Sequence, residues 1–382
     1  MIERSLKLLL DKRKESRKVI IVLGPRQVGK TTLLQQYCEE EEEYLFLDGD
    51  TIEDRQVLQD ASLDQLRRVI GRHKTVFIDE AQRIRNIGLT AKIIHDRMPE
   101  VKLILSGSAA LELANEMNEP LTGRKWEYLM LPVSWEELSG YFGYWETQKS
   151  LETRIIYGMY PEVIMNPNQE QKLLKDLTGS YLYKDILSYS NIRKPELLDK
   201  LLLALALQIG SEVSYNELSK LLGVNRATIE DYINLLEKAF IIFRLNPLSR
   251  NVRSEINSSR KIYFWDTGVR NTIIGNYQSL ELRGDKGGLW ENFLITERLK
   301  RNAYSEWYGH SYFWRTYAQQ EIDYIEEKDG KFYAFEFKWS QKAKARIPKT
   351  FTEAYPETET QIISKENFYD FVVGSTPEAS GA

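Results

Sequence analysis

A single cysteine, Cys38, is all the thiol this 382-residue chain carries. One thiol closes no internal disulfide, so a disulfide-built secreted scaffold is excluded and a reducing cytoplasm is the expected setting. Histidine is nearly as scarce. His73, His95 and His310 are the full set, and no Cys/His spacing marks a zinc site. No apolar run approaches the roughly 20 residues of a membrane span. The opening segment Met1 to Leu10 is too charged, and its apolar stretch too short, for a secretory signal. Positive charge is not in excess either: 52 Lys and Arg stand against 56 Asp and Glu, a formal net charge of -4. That balance excludes a globally basic nucleic-acid coat and leaves local basic grooves open. The expectation is a soluble, cytoplasmic protein of two or three domains by length, with no membrane partner.

What the chain does have begins at Gly24-Pro25-Arg26-Gln27-Val28-Gly29-Lys30-Thr31-Thr32, a complete Gly-x-x-x-x-Gly-Lys-Thr pattern. The apolar run Val19 to Leu23 reads as a buried strand before it, and Thr32 to Tyr37 as a helix after it. In that setting the pattern predicts a phosphate loop, its backbone N–H groups closing around phosphate oxygens at a helix N-terminus. An ordinary Gly-rich turn is the competing reading, and spacing, Lys-Thr and flanking elements all argue against it. Lys30 would reach the β- and γ-phosphates, and the Thr31 hydroxyl would ligate Mg²⁺. A second apolar run, Thr75 to Ile78, ends in Asp79 and Glu80. Asp79 is suited to the Mg²⁺ shell and Glu80 to polarising an attacking water. A third, Leu103-Ile104-Leu105, ends in Ser106-Gly107-Ser108, where the Ser106 or Ser108 hydroxyl could sense the γ-phosphate. Three such strands in this order predict an ATPase or GTPase.

Residues 1–133 alternate apolar strands with amphipathic helices, the α/β pattern of a mostly parallel sheet covered on both faces. Leu45 to Asp48 reads as a further strand, and the acidic run Glu39 to Glu43 as a solvated helix end. Helical spacing over 134–195 predicts a small helical lid or linker, with Gly158 to Glu162 as a turn. Residues 196–268 have the order of a winged helix-turn-helix, with strands near Ile241 to Leu245 and Lys261 to Trp265. From Asn225 to Lys238 its second helix carries two basic residues against three acids, a poor charge for a DNA groove. The wing is different: Arg244, Arg250, Arg253, Arg260 and Lys261 face only Glu255, so contact with a DNA or RNA backbone is one reading and interdomain packing of the helix another.

Over 285–373 a second chemical constellation is visible. Gln320 to Ile325 and Phe332 to Lys338 read as a hairpin around Asp329-Gly330. Asp323, with Glu336-x-Lys338 on the partner strand, is minimal equipment for Mg²⁺-dependent phosphodiester chemistry. Asp323 and Glu336 would hold the metal, Lys338 would act on the water or the developing charge, and Glu291 could add a ligand. Cross-strand charge pairing is the plainer alternative. The basic run Lys342, Lys344, Arg346 and Lys349 could track phosphates or simply be solvated. Residues 374–382 read as a tail.

Taken in order, Gly-Pro-Arg-Gln-Val-Gly-Lys-Thr-Thr (24–32), Ile-Asp-Glu-Ala-Gln (78–82), Ser-Gly-Ser (106–108), Leu-Thr-Gly-Arg (121–124), Tyr-Pro-Glu (160–162), Phe-Trp-Asp-Thr-Gly (264–268) and Glu-Phe-Lys (336–338) carry a resemblance. The chain resembles the bacterial and archaeal AAA-type ATPases with a winged helix and a C-terminal PD-(D/E)xK nuclease-like domain of unknown function. The resemblance implies ATP as the nucleotide and an AAA-like core. It also implies a role for Arg124 near a nucleotide, as a finger completing a neighbour's site in a homo-oligomer or as a structural arginine at the adjacent strand. For the C-terminal half it implies a nuclease-like domain, with Glu291, Asp323, Glu336 and Lys338 all matching the pattern. Three functions stay open: an ATPase that regulates DNA or RNA processing by this domain, a nucleotide switch or scaffold whose C-terminal fold only binds partners, and a DNA-binding ATPase acting through the winged helix. A second sensor arginine is not found in the helical segment.

Overall fold

The computed structural model describes residues 1–40, 43–108, 120–189, 195–248, 260–316, 318–340 and 346–374. Five strands build the first sheet: β1 Val19–Leu23, β2 Tyr44–Asp48, β3 Thr75–Asp79, β4 Lys102–Gly107 and β5 Lys125–Leu129. All pairings are parallel, in the order β2-β3-β4-β1-β5. Every residue of β1 and β3 is buried, as strands covered on both faces require. Alternate residues serve opposite layers. Val19, Ile21, Val76, Ile78, Leu103 and Leu105 pack with Leu58, Leu66, Ile70 and Ala91. On the other face Ile20, Val22, Phe77 and Ile104 meet Leu6, Leu10, Leu34 and Tyr37. Register aligns the carboxyl ends: Val22 lies beside Ser106, and Asp48 beside Asp79. Because β4 separates β1 from β3, a hydroxyl-bearing strand end sits between the phosphate-loop pattern and the acid pair.

Helices Trp135–Phe142, Tyr144–Lys149, Leu151–Tyr157, Pro161–Met165 and Glu170–Tyr189 follow. The turn expected over Gly158 to Glu162 is shorter than its sequence suggested, because Pro161 opens a helix whose first N–H it lacks anyway. The expected turn meets the Phe-Trp-Asp-Thr-Gly motif here. Asp266, buried, accepts the Met159 N–H at 2.6 Å and the Val269 N–H at 3.0 Å, capping helix Thr267–Ile273. Gly158 has φ +75°, and a Cβ there would overlap the Asp266 carboxylate.

Next come helices Pro195–Leu207, Tyr215–Leu222 and Arg226–Lys238 with β6 Glu212–Val213, β7 Ile242–Pro247 and β8 Arg260–Phe264, around a common apolar core. These strands do not form a free wing. β7 pairs in parallel with β9 (His310–Arg315) at Asn246↔Tyr312 and Pro247↔Phe313. The result is one seven-stranded sheet, β12-β11-β10-β9-β7-β8-β6, with β10 Glu321–Lys328, β11 Lys331–Phe337 and β12 Glu359–Ile363.

The basic-wing reading is corrected at two of its residues. Lys261 is fully buried and turned inward, and Arg244 is ion-paired to Glu237. Arg250, Arg253 and Glu255, like Lys342 and Lys344, lie outside the described residues.

Helix Lys286–Tyr304 backs this sheet and also holds the end of the first one. Tyr304 Oη accepts the Leu131 N–H (3.1 Å), Lys300 Nζ donates to the Val133 carbonyl (3.0 Å), and Glu297 accepts the Trp135 N–H (2.6 Å).

Candidate functional site

The loop after β1 turns back under the segment that follows β5. Gly24 has φ +152°, and a Cβ there would overlap the Met130 carbonyl, so only glycine fits this crossing. Gly29, at φ +95°, starts helix Lys30–Glu39. Lys30 is buried, its ammonium donating to the Gly24 (2.9 Å) and Pro25 (2.8 Å) carbonyls. Arg26 is half-buried, Gln27 and Thr32 are exposed, and Val28 is buried. Thr31 Oγ1 donates to Asp79 Oδ2 at 2.6 Å, while the Ser106 hydroxyl and the Glu80 N–H (3.1 Å) both reach Asp79 Oδ1. Glu80 sits at φ +46° and is held from the side: Ser108 Oγ donates to it at 3.2 Å, and Gln82 donates to both Glu80 and Ser108 (2.9 Å). The start of the helix that follows the loop and the carboxyl ends of β3 and β4 thus share one hydrogen-bonded network. An oxygen pair from Thr31 and Asp79 suits a hard cation such as Mg²⁺, which holds few protein ligands and keeps its other oxygens from phosphate and water.

Two participants carried no sequence signal that had been assigned a role. Gln82 lies within the quoted Ile-Asp-Glu-Ala-Gln motif, and its buried amide is what positions Glu80. Arg4 lies in no motif at all. It is buried, donates to the Val28 and Leu131 carbonyls (both 2.6 Å) and pairs with Glu137 at 3.1 Å. Glu137 in turn accepts the Ser5 and Ser134 N–H groups, so one ion pair joins phosphate loop, β5 exit and helix Trp135–Phe142. Beside the loop opens a cavity of about 440 Å³, walled by Ile2, Val28, Leu33, Met130, Pro161 and Met165.

Arg124 is not brought to this edge. It precedes Lys125, which pairs with Val19, so it lies at the opposite end of β1 from the phosphate loop. Its side chain binds Asp96 (2.9 Å) and the Thr122 carbonyl (3.4 Å). A contact with its own chain's phosphate site is therefore ruled out by placement.

In the second sheet, helix Lys286–Tyr304, β10 and β11 bring Glu291, Asp323, Glu336 and Lys338 to one region, with a change in grouping. The carboxylates that converge are Glu291, Glu321 and Asp323, with oxygens within 4.8 Å of one another. Glu321 takes the place expected of Glu336, which pairs with Lys338 at 2.7 Å and whose buried Oε2 has no partner among the described residues. Lys261 enters from β8: its Nζ lies 2.8 Å from Glu291 Oε1 and also contacts Glu321. Tyr263 Oη adds a bond to Glu291 Oε1 at 2.5 Å. Burial raises the Glu291 carboxyl, and Lys261 pulls it back only in part, leaving it at about 7. Asp323 and Glu336 are raised too, first by burial. Burial alone would lower the Lys261 ammonium, but Glu291, Asp323 and Glu321 outweigh it and raise it. For a metal among Glu291, Glu321 and Asp323 these residues do not fit as they stand, since an ammonium already sits on the same oxygens.

The phosphate-loop strand, the acid pair and the intervening hydroxyl strand define a P-loop nucleotide fold. An AAA domain model matches residues 16–139, so the N-terminal third is an AAA-type P-loop ATPase domain. Residues 148–280 and 286–376 match two domains of unknown function, DUF8612 and DUF4143. The chain is 30% identical over 328 residues to the uncharacterized proteins Rv2008c of Mycobacterium tuberculosis and Mb2031c of Mycobacterium bovis, covering 84% of this chain and 70% of each relative. It belongs to their family. An uncharacterized protein of Haemophilus influenzae is 24% identical over 330 residues, or 81% of this chain and 79% of the relative. The Walker-type ATPase PABY2304 of Pyrococcus abyssi is similar in structure at a TM-score of 0.49, with 18% identity, covering 72% of this chain and 96% of that one. No helix among the described residues is long and apolar enough to cross a membrane.

Proposed function

We propose that this protein binds ATP with Mg²⁺ and hydrolyses it, and that turnover switches the state of its C-terminal half. One observation carries the reading: Thr31, Asp79 and Ser106 form a single hydrogen-bonded chain beside Lys30, with Glu80 clamped by Gln82 and Ser108. Mg²⁺ held by Thr31 and Asp79 would neutralise charge on the phosphates. The loop N–H groups and Lys30 grip the phosphates, and Glu80 orients the water. The cavity bounded by Val28 and Leu33 has the size and apolar walls a nucleoside base needs. Arg124, on the edge remote from its own loop, serves a neighbour's nucleotide in a cytoplasmic homo-oligomer. Turnover of ATP by the purified chain tests this. Lys30→Ala is expected to abolish nucleotide binding, and Glu80→Gln to keep binding while kcat falls roughly 10²- to 10⁴-fold. Unchanged turnover in Glu80→Gln refutes the assignment of the base.

The helix–strand–helix–helix–strand–strand unit over 196–268 supports a winged helix used for packing as well as any nucleic-acid contact. For the C-terminal unit the switch or scaffold reading comes first. A PD-(D/E)xK-like nuclease acting on DNA or RNA is the second, favoured by the buried Glu336 Oε2, which has no hydrogen-bond partner among the described residues, beside Lys338. It predicts divalent-dependent cleavage that Glu336→Ala removes; absence of cleavage on every DNA and RNA tried would discard it.

A further inference from the structure

Lys261 is the residue that neither the ATPase reading nor the nuclease-like reading uses, yet it lies at the centre of the second constellation. It belongs to β8, a strand outside the C-terminal unit, and is fully buried. β8 is paired on both sides, with Lys261 opposite Glu212 of β6 and Leu245 of β7. The end of β8 is fixed to helix Lys286–Tyr304 by two bonds between Asn292 and the Phe264 backbone, each 2.8 Å. The backbone at Lys261 therefore cannot move away from the cluster without breaking these pairings. Strand pairing and the Asn292 bonds hold its root against the helix that carries Glu291.

We infer that the Lys261 ammonium occupies the place a divalent cation would take among Glu291, Glu321 and Asp323, making the cluster a closed ion-pair joint between β8 and the C-terminal sheet that takes up no metal while β8 is seated. The oxygens support this one by one. Glu291 Oε1 accepts from both Lys261 Nζ (2.8 Å) and Tyr263 Oη (2.5 Å). Glu321 is shared between Lys261 and Arg315, the latter at 3.8 Å. Asp323 Oδ2 accepts the Phe337 N–H at 2.7 Å. A magnesium-sized ion needs oxygen contacts of about 2.1 Å. On Glu291 Oε1 it would stand only a few ångströms from a fixed positive charge, where like charges repel strongly in a poorly solvated site. Ammonium and metal are alternatives here, not companions. The same geometry gives the joint its adhesive character: one cation from β8 satisfies acids from helix Lys286–Tyr304 and from β10 together. The inference is independent of nucleotide hydrolysis.

Manganese uptake decides it. Full-length protein carrying Asp79→Asn, free of nucleotide, is titrated with Mn²⁺ and free ion is followed by electron paramagnetic resonance. The Asp79→Asn parent is expected to show no binding that Glu291→Gln removes. Adding Lys261→Gln is expected to create one site that binds Mn²⁺ about tenfold or more tighter than the parent does. That site should be lost again in Lys261→Gln/Glu291→Gln, and Mn²⁺ should raise the melting temperature of the Lys261→Gln protein alone. Uptake by the parent that depends on Glu291 overturns the inference, as does a folded Lys261→Gln protein that gains no site. Should Lys261→Gln fail to fold, the parent and Glu291→Gln titrations decide by themselves: identical curves uphold the joint, and a Glu291-dependent difference overturns it.

Discussion

Replacing Arg4 by methionine tests whether the phosphate loop is held by a buried charge pair or only by its own turns. The guanidinium is 8% exposed and its partner carboxylate 1%. Arg4→Met keeps the length and apolar stem but leaves Glu137 as a buried, uncompensated carboxylate, and it strands the Val28 and Leu131 carbonyls. Breaking a buried pair on one side costs about 3–5 kcal/mol. Adding Glu137→Gln removes the stranded charge while keeping a side-chain oxygen for the Ser134 N–H. The double variant should therefore recover at least half of the loss. Urea unfolding measures both, the transition of the ATPase unit being the one that added nucleotide moves. A loss below about 1 kcal/mol in Arg4→Met would class the pair with weak surface bridges. A double variant no better than the single would show that the missing carbonyl bonds, and not the charge, are what matters.

Two further outcomes follow from the geometry. Gly158→Ala should cost about 2 kcal/mol or more, through left-handed strain plus overlap with the Asp266 carboxylate, whereas Gly275→Ala, at φ +65° with open space around it, should cost only the strain, about 1 kcal/mol; equal losses in thermal unfolding would remove the Asp266 contact from the account. The raised Glu291 carboxyl gives stability that is fully present below its ordinary 4.5 and is lost as pH rises through about 7. Between about pH 5.5 and 7.5 the parent should therefore lose roughly 2 kcal/mol from this group, and Glu291→Gln should not; parallel pH curves would contradict it.

Contiguity decided what could be read from the residues alone. Gly24 to Thr32 is nine adjacent residues whose spacing is itself the geometry, and Asp79-Glu80 ends a run apolar enough to be a buried strand. The helices between Trp135 and Tyr189 were legible from spacing. Arg4 and Glu137, 133 positions apart, were not, because nothing local distinguishes a buried arginine from a solvated one. Lys261 was misread for a definite reason: four of the five residues of β8 are buried, so the period-of-two alternation that tells inward from outward is missing. Charge then pointed to a basic wing, while β9 had already taken the neighbouring strand's edge. The exchange of Glu321 for Glu336 has a similar origin. Strand periodicity puts Glu321 and Asp323 on one face, but which carboxylates converge depends on the helix behind them.

Helix Lys286–Tyr304 is continuous over its 19 residues, about 28 Å from end to end. Glu291 rides near one end, and Tyr304 touches the strand exit behind the phosphate loop at the other. A rod of that length does not absorb a shift; it tilts or slides as a whole. If hydrolysis occurs as proposed, a rearrangement beneath Leu131 would either sever the three hydrogen bonds to Leu131, Val133 and Trp135 or lever the distant sheet along with it.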